Sequence, residues 1–218
     1  MKRRQAERLI ARFFLMLFWI IILSTSSSAN TQPPSSPVKL IFIHHSVGGN
    51  WLADPNSEQP YGQLGAELKN NNYYVSATNY GWGPQGIGDN TNIPDWPGWF
   101  TGPDSNAILS ALYAETGQNI DGYGDWPRLT TDPGGENENI MMKPCYPNSD
   151  LFGNPNDPAA AQPNEQFTVA NAKAVYNNLL TYFARRQDKL FVIITAPPQN
   201  ETGYTQDYQT PQIRAANA

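Results

Sequence analysis

The chain has 218 residues but only one cysteine, Cys145, and two histidines, the adjacent pair His44 and His45. A single thiol rules out an internal disulfide framework. Neighbouring histidines point apart, and no H-x-x-H or Cys/His spacing surrounds them, so no zinc site is expected. The carboxylates near Asp89, Asp95, Asp150 and Asp157 lack the spacing of a calcium loop, and solvated loop charges are the simpler expectation. No cofactor is expected. Basic residues are also sparse. Beyond residue 29 there are nine Lys/Arg against 18 Asp/Glu, a net charge of −9. Such a surface argues against nucleic acid or anionic membrane as partners. The longest apolar run, Phe13–Leu23, has eleven residues and is too short to span a bilayer comfortably.

That run belongs to what reads as an export signal over residues 1–29. Lys2, Arg3, Arg4, Arg8 and Arg12 form a basic start. Small residues ending in Ser27-Ser28-Ala29 offer a cleavage site. The expected location is therefore secreted or periplasmic, with an uncleaved N-terminal anchor as the alternative. Asn30–Pro37 is a Pro/Ser-rich spacer. Residues 38–218 are long enough for one domain with a sizeable core.

Within that domain, short apolar runs alternate with helical patterns. Strands are expected at Val38–Ile43, Tyr73–Ala77, Asn139–Lys143 and Leu190–Thr195, and helices at Tyr61–Lys69, Asp104–Glu115 and Phe167–Arg186. Ala172, Val175, Leu179 and Phe183 give the last helix its apolar stripe. LFVIIT at 190–195 is a continuous apolar run, as in strands covered on both faces. The order β-α-β-α-β-α-β predicts an α/β fold with a parallel sheet. Two segments, Asn79–Pro103 and Lys143–Glu165, are longer than chain reversal requires. Both follow strands, so both are expected on one sheet edge as functional loops, the alternative being disordered insertions.

The first strand ends abruptly in His44-His45-Ser46-Val47-Gly48-Gly49-Asn50. A serine held where a strand gives way to a glycine-containing turn is where α/β folds keep nucleophiles. The glycines let backbone N–H groups approach an oxyanion. Asn79-Tyr80-Gly81 follows the second strand and Pro147-Asn148-Ser149-Asp150 the third.

Taken in order, these three segments resemble three of the four sequence blocks of the SGNH (GDSL-like) serine hydrolases, over essentially all of residues 38–218. The resemblance implies a flavodoxin-like three-layer α/β/α sandwich and ester hydrolysis, often deacylation of lipids or sugars. It makes Ser46 the nucleophile, with its own N–H, the N–H of Gly81 and the carboxamide of Asn148 binding the oxyanion. Gly83, Gly86 and Gly88 compete with Gly81 for that role. The first block departs from Gly-Asp-Ser-Leu, and the third is stretched to Lys143-Pro144-Cys145-Tyr146-Pro147-Asn148. Both departures point to a divergent branch and put the substrate class in question.

A serine hydroxyl needs a base, and the fourth block, Asp-x-x-His, does not occur here. The 218 residues are therefore expected to be a C-terminally truncated piece, incomplete in its sheet and with negligible esterase activity alone. His44 and Ser46 are too near in sequence for an in-line hydrogen bond. One histidine is expected under the loop and the other, His45, beside the substrate. Cys145 is expected to be a buried thiol rather than a nucleophile. Trp82 and Trp99 in the long second loop would stack on a sugar, or would instead anchor the loop as a small core. The expected substrate is a small-molecule or glycan ester, and the main rival is a non-catalytic glycan-binding protein on the same scaffold.

Overall fold

The structure is a computed structural model that describes residues 31–55, 61–122 and 124–196. The expected export signal and the segment from 197 onward lie outside the described residues. Four strands, β1 (Val38–Ile43), β2 (Tyr73–Ala77), β3 (Asn139–Met142) and β4 (Leu190–Ile193), form one sheet in the order β2-β1-β3-β4. Every pairing is parallel, with Leu40 opposite both Val75 and Asn139, and Ile140 opposite Phe191. Parallel neighbours require crossovers, and helices supply them. Helix α2 (Leu64–Asn70) joins β1 to β2, α4 (Ser105–Ala114) joins β2 to β3, and α5 (Val169–Phe183) joins β3 to β4. Two shorter helices, α1 (Gly49–Leu52) and α3 (Trp96–Phe100), lie within loops.

Side-chain alternation along β1 divides the core in two. Ile41 and Ile43 face a large cluster with Ile140 and Met142, closed by Leu109 and Leu112 of α4 and by Val175 and Leu179 of α5. Leu40 and Phe42 face the opposite side, where Val75, Met141, Leu52 and Trp126 pack with Leu64 and Leu68 of α2. The expected strands and helices all exist, each within a few residues of its expected ends. Thr168 caps α5, its hydroxyl accepting from the Asn171 N–H at 3.1 Å.

One expectation changes. The run at 190–195 is covered on one face along its length and on the other only at Ile194. Phe191 and Ile193 pack on the large cluster, but Leu190 and Val192 are 57% and 37% exposed. No described element covers that side of β4, because α2 lies over the β1–β2 end of the sheet. The long second loop also has a definite form. Residues 79–103 fold into short 3-10 turns and α3, which put Trp82, Trp96 and Trp99 into the core.

Candidate functional site

The ends of β1, β2 and β3 and the loops that leave them build the edge that carries Ser46. Thr78, just past β2, binds β1 by three bonds. Its N–H donates to the Phe42 carbonyl at 3.0 Å. Its hydroxyl accepts from the His44 N–H at 3.0 Å and donates to the His44 carbonyl at 2.9 Å. This clasp fixes His44, two residues before the serine.

Ser46 is half-buried and has φ of +53°, a left-handed conformation that is uncommon for a residue with a side chain. Strain of this kind clusters at functional turns and persists only where the surroundings enforce it. Here the enforcement is visible. Ser46–Gly48 form a single 3-10 turn that runs directly into α1. A Cβ on Gly48 would fall 2.6 Å from His44 Cβ, so the turn can lie on the imidazole only because residue 48 is glycine.

His44 is buried, and neither ring nitrogen has a hydrogen-bond partner among the described residues. The His45 backbone is near, but outside hydrogen-bonding geometry. Burial pushes the imidazole down to about 3, and the positive charge of Lys143 adds to the shift. His44 is therefore the histidine under the loop, and it is uncharged.

His45 is also buried. Its Nδ1 lies 2.8 Å from Thr91 Oγ1, and its ring stacks on Tyr80 with centroids 4.8 Å apart. Burial lowers its pKa, opposed by a bond with the Gly88 backbone and by the charges of Asp89 and Asp95. Each of these contacts holds the second loop against the serine turn. His45 thus lies beside Ser46 in sequence, with its ring committed to Thr91 and Tyr80.

The expected oxyanion donors are at the right edge but donate elsewhere. The N–H of Gly81, with φ of +68°, donates to Asp89 Oδ1 at 3.0 Å. Asn148 is fully buried. Its Nδ2 donates to Asn92 Oδ1 at 2.7 Å and to the Cys145 carbonyl at 2.8 Å, while its Oδ1 accepts from the Ile93 N–H at 2.9 Å. The carboxamide joins the loop after β2 to the loop after β3, and binding an oxyanion would require one of its N–H bonds to open. Among the competing glycines, Gly88 has a role of its own. A Cβ there would fall 2.1 Å from the Asn79 carbonyl, so the loop closes on itself only through glycine.

The two tryptophans are core residues. Trp82 and Trp99 stack with centroids 5.7 Å apart and ring planes almost parallel. The Trp82 Nε1–H donates to Glu115, and the Trp99 Nε1–H to the Asn90 carbonyl at 2.6 Å. Both are buried, so of the two expected roles they take the structural one. Cys145 is buried with its thiol pushed up by that burial. Lys143 is buried at the same edge, its Nζ donating to the Pro144 carbonyl at 2.8 Å and lying 5.5 Å from the Trp51 ring centre. Burial lowers its pKa.

Thr78, Thr91 and Asn92 went unidentified in the sequence. A lone threonine after a strand carries no signal of its partner, so only the fold reveals the clasp. Among the described residues no three His, Cys, Asp or Glu side chains are grouped to hold a metal. No described helix is long and apolar enough to cross a membrane. No protein-family model, curated protein or solved structure matches this chain.

Proposed function

We propose that the domain is an exported serine hydrolase that cleaves esters, with acyl groups on glycans as the substrate class and Ser46 as nucleophile. One observation carries this reading. A half-buried serine with φ of +53° stands at the end of β1, between the loops that follow β2 and β3. The parallel strand order β2-β1-β3-β4 supports this reading, because in open parallel α/β sheets ligands bind beyond the carboxyl ends of the strands. In the reaction Ser46 Oγ loses its proton to a base and attacks the ester carbonyl. The tetrahedral intermediate collapses, the alcohol leaves with a proton, and water releases the acyl group. Gly81 and Asn148 remain the proposed oxyanion donors. Each would exchange a protein acceptor for the oxyanion, and losing such a donor typically costs on the order of 10²–10³ in rate.

Neither histidine is placed to be the base. His44 is buried without a partner, and the His45 ring is held by Thr91 and Tyr80. The base on this reading is the Asp-x-x-His pair of the resembled family, so the encoding DNA should be read past codon 218 first. The decisive experiment uses the protein expressed from its complete reading frame, with p-nitrophenyl acetate and a fluorophosphonate probe. Turnover and labelling are both expected, and both should vanish in Ser46→Ala. Turnover that survives Ser46→Ala rejects the assignment.

The committed bonds of Gly81 and Asn148 favour a second reading, a glycan-binding protein that retains the scaffold without catalysis. Saccharide binding indifferent to Ser46→Ala, with no turnover, selects it.

A further inference from the structure

Exposed aromatic rings stand at the Ser46 edge, but they are tyrosines. The large apolar side chains that remain exposed include Tyr80, 46% accessible, and Tyr146, 45% accessible. Tyr80 is three residues past the end of β2, and Tyr146 four past the end of β3. Because β1 lies between β2 and β3 in the sheet, the two rings belong to the loops on opposite sides of Ser46.

Both tyrosines sit on ordered turns. The Tyr80 ring stacks on His45, the residue before Ser46, and its N–H donates to Asn79 Oδ1 at 3.0 Å. Tyr146 opens a 3-10 turn, between the buried Cys145 and the turn's Pro147. The Tyr80 ring, held against His45 and left in water, is available to stack at little entropic cost because its freedom is already restricted, and Tyr146 offers a second exposed ring.

The surroundings favour a neutral, hydroxyl-rich ligand. The same two loops also form an open cavity of about 290 Å³, lined by Asn90, Asp95, Asn164 and Glu165 among others but by neither tyrosine nor Ser46. Carboxylates accept from hydroxyls, carboxamides both accept and donate, and the acids repel an anionic substrate. Sugar rings present an apolar C–H face and a hydroxyl rim, matching stacking rings beside polar side chains.

We infer that Tyr80 and Tyr146 form the substrate platform, on which the sugar rings of a neutral O-acylated glycan stack to either side of Ser46. The inference rests on the proposed hydrolase reading for its chemistry, but its binding component is testable without it. The platform replaces Trp82 and Trp99, whose burial denies them to any ligand.

The test uses the protein from its complete reading frame and four variants, Tyr80→Ala, Tyr146→Ala, Tyr80→Trp and Tyr146→Trp. Turnover is measured on acetylated xylo- and manno-oligosaccharides and on p-nitrophenyl acetate, which has no sugar. Each alanine variant is expected to raise KM for a favoured oligosaccharide about tenfold. That loss should exceed the loss on p-nitrophenyl acetate by a similar factor, and each tryptophan variant should restore affinity. Equal losses on both substrates would mean that the tyrosines only brace the loops, and would overturn the inference. An unchanged oligosaccharide KM in both alanine variants would overturn it too. Calorimetric titration of the deacetylated oligosaccharides into Ser46→Ala, with and without the tyrosine changes, separates the two readings. Tyrosine-dependent binding without turnover in any variant upholds the platform and rejects the hydrolase. No binding of any oligosaccharide rejects the platform.

Discussion

His44 makes the stability of this domain depend on pH. Above the ordinary histidine value of 6.5 the imidazole is neutral in both the folded and unfolded chain. Between 6.5 and about 3 the unfolded chain takes up a proton that the buried ring refuses. Stability therefore falls as pH drops through that window, by on the order of 5 kcal/mol at its lower end. His44→Gln keeps a polar side chain of similar length but removes the titration. Urea unfolding at pH 7 and pH 4 should show a much smaller acid loss in that variant than in the parent. An equal loss in both would assign the acid sensitivity to the carboxylates. The same ring shows how a residue's position was legible when its state was not. The pattern IFIHHSVGG places His44 at a strand end, but only the folded turn shows that Gly48 lies against the ring, where an added Cβ would fall 2.6 Å from His44 Cβ.

Among the elements, the tie between β1 and β2 is tighter than strand pairing alone provides. The Thr78 hydroxyl satisfies both the N–H and the carbonyl of His44, and all these groups are buried. Thr78→Val keeps the shape and removes both bonds, leaving two buried polar groups unpaired at roughly 1–3 kcal/mol each. Denaturant unfolding is expected to show a loss of about 2–6 kcal/mol in Thr78→Val and little loss in Thr78→Ser. If valine is tolerated as well as serine, the clasp contributes nothing and another contact positions the Ser46 turn. Strands and helices were readable because their periodicity is local, as with Val175 and Leu179 on α5. The loop from 79 to 103 was readable only as long and aromatic. Its tryptophans had two possible destinations in sequence, solvent or core, with the core slightly favoured. The stack of Trp82 on Trp99 and their bonds to Glu115 and Asn90 decided for the core.

For the whole molecule, the two faces of the sheet are unequally covered. Leu179 is completely buried under the sheet, whereas Leu190, on the opposite face of β4, is 57% exposed. Leu190→Lys is expected to change stability by no more than about 0.5 kcal/mol. Leu179→Lys buries an unpaired charge and should prevent folding. Thermal unfolding of the two variants decides it. Equal damage would mean that a part of the chain outside the described residues covers β4.

The sequence by itself determined the alternation of strands and helices, hence a parallel sheet, and the placing of Ser46 at a strand end. Those properties follow from local periodicity and from glycine in a turn. Only the tertiary structure decided which strands are neighbours, and therefore that the loops after β2 and β3 flank Ser46. It also decided that the tryptophans are core, that two tyrosines stay in water, and that neither histidine is free to act as a base. Burial and hydrogen-bond partnership arise between residues far apart in the chain, and no local pattern encodes them.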